Sequence, residues 1–293
     1  MKNIVCFGEV LWDIFPTHKK IGGAPLNVAT RLKSLNNKVS IITKIGEDKE
    51  GEEIADFIKK QGISEKGVQI DTSLKTGTVD VVLDKNGSAS YTIQHPRAWD
   101  KIDINKDAKL LIANADAFVY GSLIARDAVS RASLNEYLKW AKYKILDINL
   151  RPPHYAIPVL LELMNEADFI KFNDDEIYEI AKALEANIVG LETTIKWMAT
   201  KTNTACICVT LGKEGAVLFK DGNFYYNKGY SVKVVDTVGA GDSFLATLID
   251  QLLKDNNPQF AIDYASAVGA IVVGSEGANP KITKEQILEI LKK

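Results

Sequence analysis

The residues of this chain best suited to chemistry lie in the segment Asp236-Thr-Val-Gly239-Ala240-Gly241-Asp242-Ser-Phe244. Glycines on either side of one alanine let successive backbone N–H groups crowd toward a single point. A β-rich run, Tyr230–Val235, precedes the segment, and an amphipathic helical pattern begins near Gly241. The dipole of that helix adds partial positive charge where the N–H groups converge. Such a turn is an anion hole, suited to the charge that develops on a phosphoryl group in transfer. Asp242 falls in the first helical turn, where a carboxylate is favoured by about 0.3–1 kcal/mol. Beside an anion hole it can also accept a proton from a hydroxyl attacking the bound phosphate. A bare Gly-x-Gly would equally be a turn entering a helix, with Asp242 only complementing the dipole.

Other segments carry weaker signals. In Gly22-Gly23-Ala24-Pro25-Leu26-Asn27, the glycines suit a tight turn and Pro25 the first helical position. Asn27 then presents an amide that can both donate to and accept from a sugar hydroxyl. Asn173-Asp174-Asp175-Glu176 reads as a capping box at a helix start. Asp147-Ile-Asn149-Leu-Arg151 follows a strand, and open α/β sheets bind ligands at the carboxyl ends of their strands. Arg151 is therefore either a phosphate or sugar contact or a solvated loop charge. Val209-Thr210-Leu-Gly212-Lys-Glu-Gly215 reads as a turn between two strands. His18, His95 and His154 are scattered in loop-like contexts and receive no catalytic role. The chain has no Gly-x-x-x-x-Gly-Lys-Ser/Thr phosphate loop, and no Gly-x-Gly-x-x-Gly turn follows its first strand, which argues against a nicotinamide-dependent dehydrogenase.

Positioning these groups falls to alternating short apolar runs and longer amphipathic ones. Ile4–Phe7, Val39–Ile42, Ala117–Tyr120, Lys144–Ile148, Phe169–Phe172 and Ala205–Thr210 read as buried strands. Glu52–Gln61, Asp127–Lys142, Asp174–Leu184 and Leu191–Ala199 read as helices. The alternation predicts βαβ units and a mostly parallel sheet covered on both faces. From Gly241 onward the pattern is helical, broken near Asp255–Pro258 and Gly274–Pro280. One stretch departs from this rhythm: Thr78–Asp84 and Ser88–Gln94 flank Lys85-Asn86-Gly87, a strong hairpin signal. Such a hairpin, with a strand from Val10–Pro16, predicts a small sheet beside the main body or an edge of the main sheet.

The length of 293 residues suits one large α/β domain better than two. A formal net charge of -2 gives no field that would attract nucleic acid or an anionic membrane. Cys6, Cys206 and Cys208 all lie in apolar runs, as buried reduced thiols would. Neither a signal peptide nor a membrane span is visible, so a cytoplasmic protein is expected.

The string Asp236–Phe244 resembles the second signature of the PfkB-type carbohydrate kinases, the ribokinase-like family, and Gly22–Ala29 resembles the first. The Gly-Gly-Ala-Pro form, preceded by Phe7-Gly-Glu-Val-Leu-Trp-Asp13, is similar to the fructokinase branch, as are Asp147-x-Asn-x-Arg151 and Pro96-Arg97-Ala-Trp-Asp100. The resemblance implies a single ribokinase-like domain over residues 1–293. Its fold would be a three-layer α/β/α arrangement with a mostly parallel central sheet and a small β-sheet lid, inserted at about 10–20 and 78–100. It implies ATP and Mg2+, with Asp242 as general base and Gly239, Ala240 and Gly241 as the anion hole. Asp13, Gly23, Asn27, Arg97 and Arg151 would hold the sugar, Asn173, Thr210, Gly212 and Gly277 the nucleotide, and Glu176 the Mg2+ through water. Fructose converted to fructose 6-phosphate is the reaction this branch implies. Another sugar, a sugar acid or a nucleoside would be the alternative acceptor. A non-catalytic sugar-binding regulator is a further alternative, against which Asp242 and both glycines argue. Many relatives bind a monovalent cation, and Lys281 stands where a serine often does, either as an ammonium replacing that cation or as a solvent-exposed lysine. An exposed lid edge would suit a homodimer.

Overall fold

The computed structural model describes residues 1–83 and 89–292. The chain runs β1 (Asn3–Phe7), β2 (Leu11–Ile14), β3 (Lys19–Gly22), α1 (Ala24–Ser34), β4 (Lys38–Gly46), α2 (Lys49–Lys60), β5 (Ser64–Asp71), β6 (Gly77–Leu83) and β7 (Ala89–Ile93). It continues through α3 (Lys106–Ala113), β8 (Ala117–Gly121), α4 (Ala128–Leu138), β9 (Lys144–Asp147), α5 (Ile157–Asn165), β10 (Phe169–Asn173), α6 (Asp174–Ala183) and α7 (Leu191–Thr202). Then follow β11 (Cys206–Thr210), β12 (Ala216–Lys220), β13 (Asn223–Asn227), α8 (Ala240–Leu253), α9 (Pro258–Val273) and α10 (Lys284–Leu291).

Nine strands form one sheet in the order β13-β12-β11-β10-β9-β8-β1-β4-β5. Neighbours from β11 to β5 run parallel, while β12 and β13 are antiparallel additions at one edge. Strand periodicity explains why both faces must be covered. In β1, Val5 and Phe7 pack with residues of α3 to α7 such as Ile112, Leu134, Leu163 and Ile195. Ile4 and Cys6 point the other way, into a core with Leu26 and Leu32 of α1, Ile54 of α2, and Leu245 and Ile249 of α8. The result is a three-layer α/β/α body, as the alternation predicts.

A second sheet, ordered β3-β2-β6-β7, stands apart from the first. β6 and β7 pair antiparallel from Val79↔Ile93 to Leu83↔Ala89. The expected Lys85-Asn86-Gly87 turn lies outside the described residues. Strand β2 pairs with β3 antiparallel and with β6 in parallel.

One expectation needs correcting, and one strand was not foreseen. Tyr230–Val235, read as β-rich, forms no strand. No ladder partner stands beside it; the backbone N–H groups of Val235 and Asp236 instead donate to Val273 O at the end of α9 (2.9 and 3.2 Å), leaving Val234 and Val235 exposed. Strand β5 was not singled out in the sequence, because Ser64-Glu-Lys-Gly-Val-Gln carries little apolar signal at an edge.

The carboxyl ends of β1, β8, β9, β10 and β11 lie side by side, and the segments following them build the site. Gly23, the residue before α1, fixes one wall: its φ is +108°, and a Cβ there would stand 2.5 Å from Glu9 O. Gly23→Ala should cost on the order of 1–3 kcal/mol, read as a lowered urea midpoint with an unchanged slope. An unchanged midpoint would contradict this account of the turn.

Candidate active site

Helix α8 starts at Gly239, whose backbone is left-handed (φ 75°) and whose Cα faces Ala278 so closely that a Cβ would meet the Ala278 Cβ at 2.4 Å. Ser243 N closes the first helical hydrogen bond to Gly239 O (2.9 Å). Ala240 N makes only a long contact to Thr237 O (3.4 Å), and the N–H groups of Gly241 and Asp242 have no partner among the described residues. Those groups are the orphan donors of a helix start, available to an anion.

Asp242 does more than complement the dipole. Its Oδ2 accepts a hydrogen bond from Asn27 Nδ2 (2.8 Å), and Asn27 Oδ1 in turn accepts from Asn279 Nδ2 (3.1 Å). Burial, then the negative charge of Asp147, push the Asp242 carboxyl up to about 6, against the pull of Asn27, Lys171 and Arg151. Asp13, on the small sheet, is likewise raised to about 6 by burial, with Arg151 and Lys20 opposing. Its carboxylate packs over Gly22, where a Cβ would stand 2.6 Å from Oδ2. Lys20 Nζ reaches Asp236 Oδ2 at 3.8 Å, joining the small sheet to the loop that precedes α8.

Three charged residues at this site were not singled out in the sequence. Lys171 Nζ, buried beneath the turn, lies 3.0 Å from Asp147 Oδ1 and 3.6 Å from where a Cβ on Gly241 would sit. Burial works against its charge, yet Asp147 and Glu176 keep the ammonium above its ordinary range. Glu9, after β1, is buried with Oε2 unpartnered, and burial raises it to about 7 despite Arg151 and Arg126 nearby. Arg31, one helical turn beyond Asn27, donates Nε to Ser243 Oγ (3.1 Å) and an Nη to Pro280 O (3.0 Å), with no carboxylate partner among the described residues. A readable signal existed for Lys171: a cation at an inward position of the apolar run Phe169–Phe172.

The remaining sequence candidates divide. Asn173 and Glu176 make the capping box: Glu176 N donates to Asn173 Oδ1 and Asn173 N to Glu176 Oε2, both at 2.8 Å. Glu176 Oε1 accepts from Leu150 N (2.9 Å), so each carboxylate oxygen already holds a backbone N–H. Asn173 and Thr210 are register partners at the ends of β10 and β11, and Gly212 lies two residues past Thr210. Gly277 N donates to Asp236 Oδ2 (3.2 Å), which brings its turn against the loop that precedes α8. Arg151 is exposed but close enough to influence Asp13, Glu9 and Asp242. Arg97 is engaged locally, with Nη2 3.3 Å from Thr78 Oγ1. Lys281 is exposed and makes no ion pair among the described residues, while the cation packed against Ser243 and Pro280 is Arg31. No group of three metal-ligating side chains occurs among the described residues, and no helix there is long and apolar enough to cross a membrane.

The model of the pfkB family carbohydrate kinases matches residues 1–285. The chain is 30% identical to a probable fructokinase-5 of Arabidopsis thaliana, over 95% of this chain and 94% of that one. It is 29% identical to a fructokinase-2 of Oryza sativa, over 95% and 90%. Among solved structures, a sugar kinase from Pyrococcus horikoshii in complex with ATP superimposes with a TM-score of 0.84 at 27% identity, covering 98% and 97% of the two chains. A fructokinase from Xylella fastidiosa with bound ATP shares the fold with a TM-score of 0.87 at 22% identity, covering 100% and 99%.

The raised Asp242 value has a consequence for stability. Its folded value of about 6 lies above the ordinary 3.8, so the unfolded chain releases this proton first as pH rises. The stabilisation is complete below 3.8 and lost as pH climbs through about 6. Relative to Asp242→Asn, the wild-type melting temperature should therefore fall across that window and level off above it. A difference that stays flat with pH would overturn this description of the carboxylate.

Proposed function

The chain belongs to the pfkB family of carbohydrate kinases, on its fructokinase branch, and from that premise we propose that it transfers the γ-phosphate of ATP to the primary 6-hydroxyl of fructose. The observation that carries the reading is Asp242: a carboxylate with a raised pKa, held by Asn27 beside the unpartnered N–H groups of Gly241 and Asp242 itself.

The sugar lies between Asp242 and Asp13, beneath the small sheet, which acts as a lid. Gly23, Asn27, Arg97 and Arg151 border that space. Asp242 takes the hydroxyl proton on a carboxylate oxygen as the sugar oxygen attacks the γ-phosphorus in line, and the bond to the β-phosphate oxygen breaks to release ADP. Backbone N–H groups at Ala240, Gly241 and Asp242 stabilise the charge on the transferring phosphoryl group, and Lys171 beneath them adds a fixed positive charge. The nucleotide extends over the ends of β10 and β11, past Asn173, Thr210 and Gly212, with its far side at Gly277. A Mg2+ ion brought with the triphosphate would screen phosphate charge. The residues fit an ion held chiefly by phosphates and water, since both Glu176 oxygens serve the backbone and leave it an outer-sphere role.

Coupled ADP release with ATP, Mg2+ and a panel of free sugars, sugar acids and nucleosides tests the reading: fructose should be the preferred acceptor. Asp242→Asn should lower kcat by about 10²–10⁴-fold while the Kd for ATP changes little. A variant keeping most of its turnover would remove Asp242 from the chemistry. In the wild type, kcat/KM for fructose should rise with pH through about 6 and then flatten, as the base loses its proton.

A further inference from the structure

The hydrogen bond that Asp242 receives is one end of a longer chain. Asn27 Nδ2 donates to Asp242 Oδ2 (2.8 Å), and Asn279 Nδ2 donates to Asn27 Oδ1 (3.1 Å). Asn279 lies in the turn after α9, 252 residues from Asn27 in sequence. Its own Oδ1 is buried and has no hydrogen-bond partner among the described residues. An orphaned buried carbonyl is unfavourable, and its presence calls for a reason.

The order of donors and acceptors supplies one. An ionised carboxylate only accepts, so Asn27 must turn its Nδ2 toward Asp242 and its Oδ1 away. Whatever meets that Oδ1 must donate, and among the described residues Asn279 alone does so. Were Asn279 to turn its Oδ1 to Asn27 instead, Asn27 would have to present its Nδ2 there and its Oδ1 to Asp242. Two acceptors would then stand face to face. The two ends of a side-chain amide are nearly equal in size, so hydrogen bonds and not packing choose between these orientations. The preference that Asp242 imposes disappears whenever its carboxylate takes a proton, whereas Asn279 donates in either state.

The turn that carries Asn279 is held on both sides. Pro280 O accepts from Arg31 Nη2 (3.0 Å), and Ser243 Oγ donates to Ala278 O (3.4 Å). Ala278 also packs against Gly239, where a Cβ would stand 2.6 Å from the Ala278 Cα. Asn27 and Arg31 are four residues apart on α1, so one face of that helix meets both Asn279 and the residue after it.

We propose that Asn279 is a positioning residue for the transfer: by donating to Asn27 Oδ1 it fixes the Asn27 amide with its donor facing Asp242. The proposal rests on Asp242 as the base and adds the group that sets it, acting through Asn27. The charged groups that also act on Asp242 are Asp147 on β9, Lys171 on β10, Arg151 after β9 and Glu9 after β1, all outside the Asn27–Asn279 pair.

The Asn27 bond favours the ionised form of Asp242, so releasing it raises this carboxyl further above its ordinary range. Asn279→Leu removes the donor at similar volume. The acidic limb of kcat/KM for the preferred acceptor should then move up by about one pH unit, a ten-fold change in proton affinity. Asn279→Asp offers Asn27 only acceptors and adds a negative charge, so it should move the limb further in the same direction; it also serves if the leucine variant does not fold. A readout free of catalysis is the melting-temperature difference between each variant and the same variant carrying Asp242→Asn. In the wild type that difference falls through about pH 6. With Asn279→Leu the fall should continue about one unit higher. A loss of activity uniform across pH, with that window unmoved, would reduce Asn279 to a structural contact and overturn the proposal. If Asp242→Asn kept its turnover, the base assignment would fall alone, and the melting window would still decide whether Asn279 sets this carboxylate.

Discussion

Carboxylates crowd the mouth of the central sheet, and their mutual repulsion is the constraint around which the site is built. Asp147, Glu176 and Asp242 all act on one buried ammonium, Lys171, which is bonded to Asp147 at 3.0 Å. Without it, Asp147 would be a buried charge with no counter-ion, a loss on the order of 3–5 kcal/mol. The pair also divides the acids by role. Asp147 takes the direct contact, Glu176 is fixed by backbone N–H groups, and Asp242 receives only a distant share of the positive charge. Burial and the charge of Asp147 outweigh that share and raise the Asp242 pKa, while its carboxylate accepts a bond from a neutral amide, the condition the proposed base requires.

The layers of the fold were legible because burial on both faces leaves a direct trace in sequence. Ile4–Phe7 and Ala205–Thr210 are continuous apolar runs, as strands covered on two sides must be. The edges were less legible. Strand β5 is half polar, and Tyr230–Val235 has the composition of a strand but no neighbour to pair with. β-propensity describes how a side chain fits a pleated surface; it does not supply the surface.

At the site, local motifs were readable and long-range pairings were not. The helix start at Gly239–Asp242 and the capping box at Asn173–Glu176 are set by neighbours within a few residues, so their spacing betrays them. Asn27 and Asp242 are 215 residues apart, and their hydrogen bond could not be read from either segment. Arg31 shows the same limit more sharply. On the helix it is one basic residue near a C-terminal turn, where a cation is unremarkable. Only the packing of α1 against α8 reveals that its guanidinium is buried and bonds neutral oxygens alone.

That packing explains how a loop with little structure of its own can hold a helix terminus in place. The segment from Lys228 to Val238 contains no strand or helix, so it cannot orient Gly239 by itself. The orientation comes from the side opposite the loop. Asn27 holds Asp242, Arg31 holds Ser243, and the turn after α9 is tied to both through Asn279 and Pro280. Helix α1 therefore presents its Asn27 end to Asp242 and its Arg31 turn to Ser243. Gly23, the residue before the same helix, stands directly against Glu9, two residues past β1. Displacement of α1 would accordingly move Gly23 and Asn27 together and, through Asn27 and Arg31, disturb the start of α8.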